Sequence, residues 1–211
     1  MPGGHARGRG GGSGFGFIVA SDGTVVTNSH VISQATSISV KLADGTDLPA
    51  FLVGSDPRTD IAVLTILSPE KVPFIELGDS AAVRPGEWVW RWANRSASGG
   101  TVTAGIASGL GRDIGAWPYD DYIQIDASIN QGNSGCPQFT QDGHVIGIIT
   151  AILSPTGGSV GIGFAIPSDM VRQVGEKLKQ HGKVTRGSLG VESQAVTPAM
   201  AAALHLPGAA G

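Results

Sequence analysis

The chain has 211 residues, 41% of them hydrophobic and 15% charged, with a formal net charge of −3, a composition that suits one or two folded units and excludes a disordered chain. Its basic residues are scattered apart from short clusters near positions 7–9 and 177–183, so no phosphate-tracking surface is expected and nucleic acid is not an expected partner. The single cysteine, Cys136, excludes an internal disulfide and a thiolate zinc site, and no apolar run is long enough to span a bilayer.

In chain order, residues 1–14, "MPGGHARGRGGGSG", read as a flexible glycine-rich linker. They contain no apolar segment of the secretory type and no G-x-G-x-x-G, and the residues that follow are strand-like, so a nucleotide loop is not supported. Short runs rich in Val, Ile, Thr, Phe and Trp then predict strands at 15–20, 25–32, 37–42, 48–53, 61–67, 87–93, 101–108, 122–127, 144–152 and 161–166. Asp22-Gly23, Asp44-Gly45 and Asp142-Gly143 fall between such runs, where a tight hairpin turn needs a positive φ. After Pro167, the spacing of Met170, Val171, Val174 and Leu178 predicts an amphipathic helix over 168–182, stopped by Gly182. The expected class is all-β, a barrel or sandwich closed by one C-terminal helix.

Within this β pattern stands "QGNSGCPQF", residues 131–139, in which Ser134 is either a nucleophile or a turn residue between strands. A serine hydroxyl attacks a carbonyl only if a base takes its proton, and that base needs an acid to orient it. Of the five histidines, His5 lies in the glycine-rich start, His144 follows a turn, His181 ends the helix and His205 is in the tail. His30, in "VVTNSHVIS", stands at the end of a predicted strand and is the candidate base, with a hydrogen-bonded structural histidine as the alternative. Asp60, just before the strand in "SDPRTDIAVLTIL", is the candidate acid, its alternative role being strand entry.

"TNSHV", "TDIAVL" and "GNSGCP", in that order, resemble the corresponding blocks of the HtrA (Do/Deg) family of serine endopeptidases. So do "GSGF", "GSDPRTDIAVL", "LGDSAAVRPGEWV", "GTVTAGIASGLGRDIG", "DYIQIDASINQGNSG" and "GIGFAIPSDM", and the likeness runs from about residue 12 to 190. It implies a chymotrypsin-like double six-stranded β-barrel, with barrels over 15–80 and 81–167 inside a protease domain spanning 15–182. It also implies a catalytic His30, Asp60 and Ser134, an oxyanion hole from the amides of Gly132 and Ser134, and no metal or organic cofactor. Hydrolysis by this route needs a neutral His30, so activity is expected to fall as the imidazole protonates in mild acid.

By the same resemblance the substrate pocket is lined by Ile129, Gly132, Asn133 and the stretch Thr150, Ala151, Ile152, Leu153 and Ser154. It is small and apolar, suited to aliphatic side chains. The implied partners are unfolded or misfolded polypeptides in the bacterial periplasm or envelope, and full-length relatives are expected to be homotrimers. Residues 183–211, with "RGSLG", resemble the start of a PDZ domain that stops short.

Four features depart from the family pattern. Cys136 stands where glycine is usual, and is either a small buried hydrophobe or a second nucleophile without a base. "VWRWANRSASGG" replaces an apolar segment: an inward Arg91 would need a partner, and with a solvent-facing one Trp90 and Trp92 would need an edge or a surface for partner contact. Gln138 replaces an aliphatic residue and needs a hydrogen-bond partner if enclosed. The segment that supplies the family's first strand is not recognisable, so the first barrel is expected to be incomplete. These departures keep open a binding module that holds unfolded chains without cutting them.

Overall fold

Hairpin chemistry sets the strand order. Gly23, Gly45 and Gly143 take φ of +84°, +93° and +85°, and Asp22 and Asp44 each accept a hydrogen bond from the amide two residues on, at 2.9 and 2.8 Å. In the computed structural model, which describes residues 3–8, 13–68, 70–96, 99–129, 132–154, 159–187, 190, 191, 194 and 196–205, these turns join antiparallel strands. The first barrel comprises β1 (Gly3–Gly8), β2 (Ser13–Ile18), β3 (Thr24–Asn28), β4 (Ile38–Lys41), β5 (Asp47–Asp56) and β6 (Ile61–Ile66). The second comprises β7 (Trp88–Ser96), β8 (Gly99–Arg112), β9 (Tyr122–Ile125), β10 (Pro137–Thr140), β11 (Val145–Ile152) and β12 (Gly163–Pro167). Each closes in the same order, β1-β2-β3-β6-β5-β4 and β7-β8-β9-β12-β11-β10.

One expectation is corrected here and one open alternative is decided. Residues 3–8 are not linker: β1 pairs with β2 on one side and β4 on the other, so its backbone groups are taken up in two ladders and the first barrel is closed. A glycine-rich strand has almost no side-chain alternation, which hides it from a reading by pattern. Arg91 is the second case. Along β7 the alternation places Val89 (0% exposed) and Arg91 (4%) inside the barrel, while Trp88 (53%) and Trp90 (42%) face outward. Strand β10, which pairs Gln138 with Arg91 and Phe139 with Trp90, was not predicted at all.

Three apolar clusters hold the molecule together. Ile18, Val25, Val40, Leu64 and Ile66 fill the first barrel, and Val89, Ile123, Ile125, Ile146 and Ile149 fill the second. A third joins the two, with Phe17, Val26 and Val63 meeting Tyr122, Val145, Ile148 and Phe164. The helix α2 (Ser168–His181) lays Val171, Val174 and Leu178 on this joint, and Gly182, at φ +70°, ends it by donating to the Leu178 carbonyl at 2.8 Å. Its start is tied by Ser80, which donates to the Asp169 carboxylate at 2.7 Å and accepts from the Asp169 amide at 3.1 Å. That first bond, opposed by burial, leaves the Asp169 carboxyl below its ordinary value. A short helix, α3 (Pro198–Ala203), lies in the tail; Ser188, Leu189 and 206–211 of the PDZ-like segment lie outside the described residues.

Candidate active site

Strand β3 ends at Asn28, and His30 sits on the short helical turn α1 (Ser29–Ile32) instead of at a strand end. The first amides of a helix have no partner within it. Here Asp60, just before the neighbouring strand β6, takes them: its carbonyl accepts from Ser29 N–H at 3.1 Å, and its Oδ1 accepts from His30 N–H at 2.9 Å. Asn28 Nδ2 adds a bond to the same carbonyl at 3.0 Å. Asp60 adopts φ +56°, a left-handed conformation that Asp tolerates better than most residues, and this turns both groups towards α1.

With its backbone so held, Asp60, only 1% exposed, presents Oδ2 to His30 Nδ1 at 2.7 Å. The same oxygen accepts from the Thr150 hydroxyl at 2.5 Å. An acceptor of this kind holds the proton on Nδ1 and leaves Nε2 as the free nitrogen. The imidazole remains partly exposed, with 44% of its side-chain surface open, while its acid is sealed beneath it.

The turn carrying Ser134 is anchored to the first barrel. Phe15 N–H on β2 donates to the Ser134 carbonyl at 2.8 Å, and the Thr27 hydroxyl on β3 donates to the Phe15 carbonyl at 2.6 Å. Gly135, at φ +86°, lies so close that a Cβ there would be 1.8 Å from the Phe15 carbonyl oxygen. Gly135 N–H is used by the Ile149 carbonyl at 2.9 Å and Cys136 N–H by that of Asn133 at 3.0 Å. Among the described residues no hydrogen bond joins the Ser134 hydroxyl to His30. Gly132, at φ +90°, is exposed and Asn133 is buried; Gln131 lies outside the described residues.

Two of the expected pocket residues have other work. Ile129, 2% exposed, belongs to the core of the second barrel, packed so closely on Gly163 that a Cβ there would meet its Cδ1 at 2.1 Å. Thr150, 7% exposed, spends its hydroxyl on Asp60. Ala151 and Ile152 are half-buried and pack in opposite directions, onto the inter-barrel joint and the second barrel respectively, whereas Leu153 is 60% exposed and Ser154 half-buried. Thr27 and Asn28 were not singled out from sequence; the signal available was a polar pair closing the apolar run of β3, and the structure buries both.

Cys136 is 0% exposed, and burial pushes its thiol up to about 12 despite the neighbouring Arg91, so it is a neutral core residue and no second nucleophile. Among the described residues no group of His, Cys, Asp and Glu is placed to hold a metal ion, and no helix is long and apolar enough to cross a membrane.

The comparisons agree with this fold. Residues 12–148 match the family described as trypsin-like peptidase domain. A protein of Brucella suis named "Probable periplasmic serine endoprotease DegP-like" is 55% identical over 194 residues, covering 92% of this chain and 38% of its own length. One of the same name from Rhizobium meliloti is 49% identical over 210 residues, covering 100% of this chain and 42% of its own. The chain therefore spans about two fifths of the length of these relatives. The solved HtrA-type protease AlgW with a tripeptide superposes with a TM-score of 0.91 at 42% identity, over 98% of this chain and 69% of that one. With a decapeptide the figures are 0.85, 46%, 92% and 59%. On its sequence, its paired barrels and its His30–Asp60 site, this chain belongs to the trypsin-like peptidases, in their HtrA branch.

Proposed function

We propose that this chain is the catalytic unit of a serine endopeptidase in which Ser134 is the nucleophile, His30 the base and Asp60 the acid that orients it. The observation that carries this is the His30–Asp60 pair, in which Asp60 is bonded to the backbone and Nδ1 of His30 and leaves Nε2 free. Nε2 takes the Ser134 proton as Oγ attacks the scissile carbonyl. The proton then passes to the departing amine, and water releases the acyl group by the reverse sequence. The amides of Gly132 and Ser134 stabilise the oxyanion. Their neighbours at Gly135 and Cys136 are committed to carbonyls within the protein, which supports that assignment.

The substrates are unfolded or misfolded polypeptides, cut after small aliphatic residues in a pocket bordered by Gly132, Asn133 and Ala151 to Ser154. The half-buried Ala151 and Ile152 bring no charge to that pocket. By analogy with the relatives' names, the place of action is the periplasm. Residues 183–211 resemble the start of a PDZ domain, and the homotrimer is the assembly expected of full-length relatives.

The test is cleavage of unfolded casein by the chain and by Ser134→Ala, with labelling by a fluorophosphonate in parallel. Cleavage and labelling are both expected to vanish in the variant. Casein binding that is equal in both proteins, with no labelling of folded wild-type chain, would replace this reading by a module that holds unfolded polypeptides without cutting them.

A further inference from the structure

We propose that the interior of the second barrel binds a small monovalent inorganic anion, chloride in ordinary solution, held by Arg91, Gln138 and Cys136. Arg91 lies between Gln138 on β10 and Thr103 on β8, its register partners on either side, and its Nε donates to the Thr103 hydroxyl at 3.1 Å. Cys136, just before β10 and two residues from Gln138, lies in the same buried core as Val89, two residues from Arg91. These side chains are sealed from solvent, with Arg91 4% exposed and Gln138 and Cys136 both 0%.

The donors outnumber the acceptors. Among the described residues, Arg91 Nη1 and both polar atoms of the Gln138 amide have no hydrogen-bond partner, although all three are buried. A guanidinium is all donor, the amide nitrogen adds more, and the thiol can donate weakly.

Charge points the same way. Among the described residues no carboxylate pairs with Arg91, and the buried thiol is neutral near pH 7. An enclosed guanidinium without a counter-charge is strongly unfavourable. Water would satisfy the hydrogen bonds but leave the charge. An anion does both, and the complete enclosure limits it to a small ion.

The test uses the full chain, with chloride and bromide as probes. Thermal unfolding is followed as sodium chloride replaces sodium gluconate at constant ionic strength. In the wild type, each tenfold rise in chloride above its Kd should raise Tm by about 3–5 °C. Arg91→Met, which removes the charge and keeps an apolar stem, should show no such rise. Gln138→Leu should move the response to higher chloride, and supplies the comparison if Arg91→Met does not fold. Crystals soaked in bromide should show an anomalous peak beside Arg91 Nη1. A chloride response as large in Arg91→Met as in wild type would overturn the proposal. So would bromide-soaked crystals in which Nη1 donates to Gln138 Oε1 or to water and no peak is present.

Discussion

Thr150 is the residue whose role changes most between sequence and structure. It was expected to line a substrate pocket, yet its hydroxyl reaches 2.5 Å from Asp60 Oδ2, a residue 90 positions away in the other barrel. A neutral donor to a buried carboxylate is worth roughly 1.5–3 kcal/mol, and here it also helps to hold the oxygen that orients His30. Thr150→Val should therefore lower kcat by roughly tenfold with little change in KM. Steady-state cleavage of a peptide substrate would show this, and a change confined to KM would return Thr150 to the pocket. The direction of Arg91, open from sequence, followed from register with β8 and β10, which its own neighbours in sequence do not reveal.

At the scale of elements, the segment after α2 is fastened to the turn that leads to Asp60. Arg186 makes a two-pronged contact with Asp56 at the end of β5, one arm at 2.9 Å, and lies 4.4 Å over the Tyr119 ring. Burial works against ionisation of Asp56, but the hydrogen bonds from Arg186 and Thr59 outweigh it, and the carboxyl sits below its ordinary value. The folded value being the lower one, this pair stabilises the fold fully above the unfolded carboxyl's value, about pH 4, and loses its effect as pH falls through the depressed value. Tm should consequently fall more steeply in wild type than in Arg186→Met between about pH 6 and pH 2, and the two curves should converge in acid. Parallel curves would mean the pair contributes nothing.

For the whole molecule, the site depends on a joint between barrels that neither barrel contains. Phe17, 0% exposed, is at that joint with Phe164, Ile148 and α2. Phe17→Ala should cost about 3–5 kcal/mol of stability and lower activity in the fraction that remains folded, because His30 and Ser134 come from opposite sides of the joint. Denaturant unfolding with an activity assay on the same samples would test both parts. A loss below about 1 kcal/mol would mean that other contacts hold the barrels together.

What the sequence determined by itself were the features written in adjacent residues. The Asp-Gly turns, most of the strands, the helix from Ser168 and the blocks around His30, Asp60 and Ser134 were all legible, since each depends on periodicity or on chemistry within a few positions. Only the tertiary structure decided what depends on pairing between distant segments. The glycine-rich β1 is a strand because β2 and β4 flank it, and α1 begins at Ser29 because Asp60 caps it. Ile129 became core and Arg91 an interior cation because barrel closure assigns each side chain a face, and closure brings together strands far apart in the chain.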